Sequence, residues 1–177
     1  AGVWMPESSE WLVTSDRLKP GTPQTHVKIS AVHWPSGRVR ALPKLSELIC
    51  MGNGATTDHR GGAYICSQGL GDASGALFHC DAALGEARRV GPPDGLVLNC
   101  LNDVVVDRAS GELIFTDPAY GLEAQGFRTT YNEVKAVWAV HPERAHDAAA
   151  WRIVKNCADC ALLDQPNGCL LSPDGRT

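Results

Sequence analysis

The sequence predicts an all-β chain assembled from propeller blades, on two observations. One segment returns three times: NGATTDHRGGAYICSQG from Asn53, LNDVVVDRASGELIFTDPAYG with its Asn at 102, and QPNGCLLSPDGRT with its Asn at 167. In each, an Asn precedes Gly or Asp, three small or apolar residues follow, and a polar residue (Asp58, Asp107, Ser172) stands before a Gly turn. The unit is Asn, short strand, tight turn, second strand. Recurrence of such a unit at intervals of some tens of residues is the signature of stacked β-repeats, and a strand-turn-strand unit points to blades. The second observation is that strand signals come in pairs and no amphipathic stretch of helical length competes with them.

The elements follow in order. Short β-branched or aromatic runs at 11–14, 27–32, 63–66, 76–80, 104–106, 113–116 and 136–140 are bounded by Gly, Pro, Asp or Ser and read as strands. Turns at the hairpin tips come from 35–37, 60–62, 110–111 and 173–175. The segment VWMPESSEWLVTSDRL fits as an earlier copy, with 6–9 as its turn and 11–15 as its second strand. Residues 143–151 are Ala-rich, follow Pro142 and extend barely two turns, so they read as a loop-borne turn of helix. The Asn53–Asn102 interval of 49 residues suits a four-stranded blade. From Asn102 to Asn167 it is 65, the excess falling in loops at 122–131 and 142–151.

Composition narrows the partners. The 177 residues carry a net charge of −4, and no block of Lys or Arg exceeds two, so nothing resembles a phosphate-tracking surface and no nucleic acid is expected. The longest apolar run falls well short of the roughly 18 residues of a membrane span, so no membrane is expected either. Residues 1–20 lack a signal-peptide pattern, and the compartment stays open. Seven Cys are scattered through apolar runs and read mostly as buried thiols. Cys157 and Cys160 form one CxxC without the second pair a structural zinc requires; it reads as a solvent-facing disulfide or an incidental pair. The five Trp, about one per blade, read as packing between blades.

The three Asn also have two readings. Residues at one register of successive innermost strands project to a common ring around a propeller axis, which would set Asn53, Asn102 and Asn167 about one channel. Alternatively, Asn before Gly or Asp is simply a good turn residue. Asp103 either lines the channel beside Asn102 or caps backbone N–H groups at a strand start. Asp107 reads as a turn residue, and Asp117 as part of a 117–121 loop that shapes the rim.

LNDVVVDRASGELIFTDPAYG, QPNGCLLSPDGRT and GVWMPESSEWLVTSDRL resemble the signature stretches of the senescence marker protein/gluconolactonase/luciferin-regenerating-enzyme-like family, especially its microbial and fungal lactonases. The resemblance runs along most of the chain, and its most specific part is the Asn-Asp-Val with Phe-Thr-Asp-Pro-x-Tyr-Gly. It implies a six-bladed β-propeller in the full-length parent, of which about four blades' worth is present, so that 1–177 is a partial propeller domain lacking N- and C-terminal parts. It further implies a lactonase, a hydrolase of the ester bond of sugar lactones. The resemblance also implies one divalent metal, calcium foremost, with zinc or another ion as alternatives, that would polarise the carbonyl and supply a bound water to attack it. Carried over by position, Asn167 is a metal ligand, and Asn102 meets the metal and the substrate. Asn53, Asp103 and Asp117 are weaker channel or rim candidates. The family's Glu ligand falls just before the segment matching 1–4, and its late Asp, the expected general base, beyond Thr177. Without those carboxylates the isolated piece is expected to bind metal weakly and to be inactive. A second reading, in another class, is a noncatalytic calcium-binding propeller that docks a partner or buffers the ion.

Overall fold

The computed structural model describes residues 1–15, 27–130 and 132–174. Their strands form three four-stranded antiparallel sheets, each a meander in chain order. The first holds β1 (Gly2–Met5), β2 (Glu10–Ser15), β3 (Lys28–His33) and β4 (Val39–Ala41). The second holds β5 (Gly52–Thr57), β6 (Ala63–Ser67), β7 (Ala76–Cys80) and β8 (Ala87–Gly91). The third holds β9 (Val104–Val106), β10 (Leu113–Asp117), β11 (Ala136–Val140) and β12 (Arg152–Asn156). Strand β5 lies against both β1 and β9, so the first strands of successive sheets run side by side, which is a propeller-type arrangement. Residues 165–174 return to the third sheet as the start of a further copy but pair as no strand, so three sheets stand where about four blades' worth was expected.

Sheet faces, not helices, make the core. Met5, Leu12, Ile29 and Ala31 of the first sheet are buried against Ile65, Phe78 and Cys80 of the second. Cys66 and Leu77, on the second sheet's other face, meet Val104, Phe115 and Trp138 of the third, with Trp151 edge-on to Phe115 at 5.7 Å. Strand β6 is buried along its whole length because it carries both contacts, which is why it reads as a continuous apolar run. Removing such aliphatic surface from water is the main stabilising term, at about 25 cal/mol per Å².

All seven strands expected from apolar runs are present, shifted by a residue at some ends. The outermost strands β4, β8 and β12 were not expected. Their sequences, VRA, ARRVG and RIVKN, are exposed and charged, as suits an edge strand that must not pair with strangers. Two short helices were also unforeseen. Helix α1 (Pro43–Leu48) opens on a proline and buries Leu45, while α2 (Tyr120–Glu123) follows β10. The Ala-rich 143–151 stretch is two separate 3₁₀ turns at Pro142–Arg144 and Ala148–Ala150.

The tryptophans divide. Trp138 and Trp151 pack between sheets as expected, but Trp34 is 64% exposed in a hairpin turn. Trp4 and Trp11 pair across β1–β2 with ring centroids 5.5 Å apart. Strand alternation puts them on the face turned away from the second sheet, opposite Met5 and Leu12. All seven cysteines are free thiols, so Cys157 and Cys160 form no disulfide.

Candidate functional site

Asn53 and Asn102 stand at the starts of β5 and β9, and Asn167 stands in the segment that follows the third sheet. Because the first strands run side by side, these positions converge. Asn53, Asn102, Asp103 and Asn167 line one cavity of about 330 Å³, together with Gly2, Gly54 and Cys169.

Close backbone approach makes this possible. The Gly54 N–H donates to the Asn102 carbonyl at 2.7 Å. A Cβ at Gly54 would meet Asp103 Oδ1 at 2.3 Å and Asn102 O at 2.5 Å, so only glycine lets the second sheet touch the third here. Hydroxyls from second strands fix the other joints. Thr14 Oγ1 donates to the Asn53 carbonyl at 2.6 Å, and Thr116 Oγ1 to the Asn167 carbonyl at 2.6 Å. Thr116 Oγ1 also accepts the Asp103 N–H at 3.1 Å. In each case the Asn backbone is held by the preceding sheet.

The side chains divide by commitment. Asn53 and Asn102 are half-buried, and among the described residues their amides have no hydrogen-bond partner. Asp103 lines the cavity and caps at once: Oδ1 accepts the Val104 N–H and Oδ2 the Cys169 N–H, both at 3.0 Å. Asn167 is exposed and its Nδ2 donates to the Tyr120 hydroxyl at 3.5 Å. That hydroxyl donates to the Gln165 carbonyl at 3.2 Å, and Gln165 Oε1 accepts the Ala119 N–H at 2.8 Å. Helix α2 and its N-terminal flank thus clasp the segment that carries Asn167. Thr14, Thr116, Tyr120 and Gln165 were not singled out from the sequence. The available signal was Phe-Thr-Asp-Pro-x-Tyr-Gly itself, whose Thr and Tyr both brace Asn167.

Asp117 lies elsewhere. It is fully buried at the end of β10, where Oδ2 accepts from Asn99 N at 3.0 Å and from Asn99 Nδ2 at 3.5 Å. Its Oδ1 is buried with no partner among the described residues. Burial pushes its carboxyl up to about 7, against the N–H groups of Asn99 and Cys100 and the charge of Arg128. Arg128, also buried, donates to the carbonyls of Gly71, Gln68 and Asn99. Asp117 anchors the chain at Asn99, Arg128 ties the carbonyls of Gln68, Gly71 and Asn99 together, and neither lines the cavity.

The donors suit part of a hard cation's shell. Amide oxygens are ligands for calcium, but a complete shell takes six to eight oxygens and draws much of its affinity from carboxylates. The one carboxylate in the cavity wall, Asp103, already accepts on both oxygens. Among the described residues no three His, Cys, Asp or Glu side chains come together to hold a metal ion. The cavity wall thus offers the side chains of three Asn and the one carboxylate of Asp103.

No family model and no curated protein matches the sequence. Solved structures do match. One, described as a candidate gluconolactonase, superposes with a TM-score of 0.69 at 20% identity, over 99% of this chain and 52% of its own. The gluconolactonase of Xanthomonas campestris, described as important in glucose secondary metabolic pathways, gives 0.71 at 22% identity, over 99% and 51%. The chain shares their fold. It spans about half the length of these structures.

Proposed function

We propose that the protein belongs to the senescence marker protein/gluconolactonase-like family and hydrolyses the ester bond of a sugar lactone. In this reading a six-bladed propeller contains the three sheets and the start of a further blade, and the Asn-lined cavity is the mouth of its channel. One observation carries the proposal: three Asn from successive repeats converge on one cavity, in a fold shared with gluconolactonase structures. The uncommitted amides of Asn53 and Asn102 are suited to donate to and accept from the hydroxyls and carbonyl of a lactone, which fixes the ring in the cavity. Neutral amides do this without repelling the carboxylate product. Asp103 holds the Asn167 segment in register through the Cys169 N–H and caps its own strand through the Val104 N–H.

Metal dependence is part of the proposal. Asn167 and Asn102 would each contribute an amide oxygen to one divalent ion, calcium in the first instance. Carboxylate ligands and the general base would come from outside the described residues.

The test is hydrolysis of glucono-1,5-lactone by the full-length protein, followed with a pH indicator before EDTA, after EDTA, and after adding back calcium or zinc. Activity that falls with chelator and returns with metal supports the reading. Metal binding without turnover on this or related lactones would point instead to a noncatalytic propeller.

A further inference from the structure

A second cleft lies at the opposite end of β5. The strand runs from Asn53 at the cavity to Thr57, and Asp58 follows at the β5–β6 turn, about 16 Å from Asn53 at a strand's rise per residue. There, between the second and third sheets, a cleft of about 640 Å³ opens. Its wall is one cross-strand row. Register sets Tyr64 opposite His79 and His79 opposite Arg88, so that side chains from β6, β7 and β8 share one face, with Asp58 beside them at the β5–β6 turn. Arg60 joins from the turn, and the third sheet closes the far side with His141, Glu143 and His146.

The row is ordered from within. Asp58 Oδ1 accepts the N–H groups of Arg60 and Gly62 at 2.7 and 2.8 Å, and Oδ2 pairs with His79 Nε2 at 2.6 Å. The Asp58 and His79 side chains are 8% and 22% exposed, and the His79 ring rests on Tyr64 with centroids 4.8 Å apart. The Asp58 charge is thereby used locally. Burial first, and Asp58 next, hold the Tyr64 hydroxyl above its ordinary range, which leaves it a neutral donor. The guanidinium groups of Arg60 and Arg88 have no ion-pair partner among the described residues, and Glu143 is the one other carboxylate in the wall. In a chain of net charge −4 this is a local excess of cationic donors.

We propose that this cleft binds a phosphate monoester of sugar size, with Arg88 and Arg60 on the phosphate and the Tyr64 hydroxyl and His146 on the sugar. Guanidinium forks match phosphate oxygens in pairs, and the cleft volume lies within the range of small-molecule sites. The site shares no lining residue with the Asn-lined cavity, and we take its occupancy to be independent of lactone turnover.

Calorimetric titration of the full-length protein with glucose 6-phosphate, inorganic phosphate and glucose tests it. The expected result is saturable binding of glucose 6-phosphate at about 1 mM or tighter, with none for glucose. Arg88→Gln and Arg60→Gln should each weaken it about tenfold or more, while Arg152→Gln, whose guanidinium pairs with Glu112 elsewhere, leaves it unchanged. Inorganic phosphate binding as tightly as glucose 6-phosphate would assign the cleft to the phosphate group alone; a tenfold preference for glucose 6-phosphate would assign it to the whole monoester, by the usual 1.4 kcal/mol per decade. Absence of saturable heat to about 20 mM overturns the proposal. So does binding that survives both Arg substitutions, or that disappears in Asn102→Ala.

Discussion

The Thr116 hydroxyl donates to the Asn167 carbonyl at 2.6 Å, across the joint between the third sheet and the segment that follows it. The same hydroxyl accepts the Asp103 N–H at 3.1 Å. One side chain therefore fixes the backbone of two cavity residues. Thr116→Val keeps the shape and removes both bonds, leaving a part-buried carbonyl and N–H to find other partners, at about 1–2 kcal/mol. Denaturant titration should show this loss, and it should exceed that of Thr14→Val, which breaks the bond to Asn53 and a longer one to Ala1. Equal losses would mean the Asp103 bond contributes nothing.

Asn102 offers the opposite case. Its backbone is engaged by Gly54 and Thr116, whereas its side-chain amide has no partner among the described residues. Asn102→Ala should therefore cost less than about 1 kcal/mol of stability, as for a surface substitution away from packed features. It should lower kcat/KM for the lactone about tenfold or more if the amide holds the substrate. Unchanged turnover with unchanged stability would remove Asn102 from the site.

Gly54→Ala should disrupt the molecule where the second and third sheets touch. The added Cβ would lie 2.6 Å from the Asp103 Cα, a backbone atom that cannot swing aside. The expected outcome is a melting temperature lowered by more than about 5 °C, or no folded protein. Gly85→Ala, where the nearest atom is a carboxylate oxygen 4.0 Å away, should be tolerated.

Asp117 makes a pH prediction. Its folded pKa, near 7, lies above the roughly 3.9 of an unfolded carboxyl, so the folded state holds more protons between those values. The stability from this group is fully present below about pH 4 and is lost as pH rises to about 7, with a slope of at most about 1.4 kcal/mol per pH unit. Asp117→Asn keeps an acceptor for the Asn99 N–H and cannot ionise. Relative to wild type it should gain stability from pH 5 to pH 8, as measured by urea midpoints. A constant difference across that range would show that Asp117 titrates as an ordinary carboxyl.

The repeat of Asn, strand, turn and strand was legible in sequence because each part has its own local chemistry. Alternating and continuous apolar runs mark buried strands, and Gly, Asp and Pro mark turns. From that pattern came the strand positions of the inner three strands of most blades and the register that sets Asn53, Asn102 and Asn167 at equivalent places. The edge strands β4, β8 and β12 were hidden because they face water, where charged residues leave no apolar period. What only the tertiary structure decided was which polar groups remain free. Asp103 and Asn102 are adjacent in sequence, yet the carboxylate is consumed by the N–H groups of Val104 and Cys169 while the amide is left to the cavity. Asp117, read as a rim residue from its place before Pro118, is instead sealed against Asn99. Part of this commitment comes from backbone groups distant in the chain, as Cys169 reaches Asp103 across 66 residues and Asn99 reaches Asp117 across 18, and no local pattern encodes that arrival.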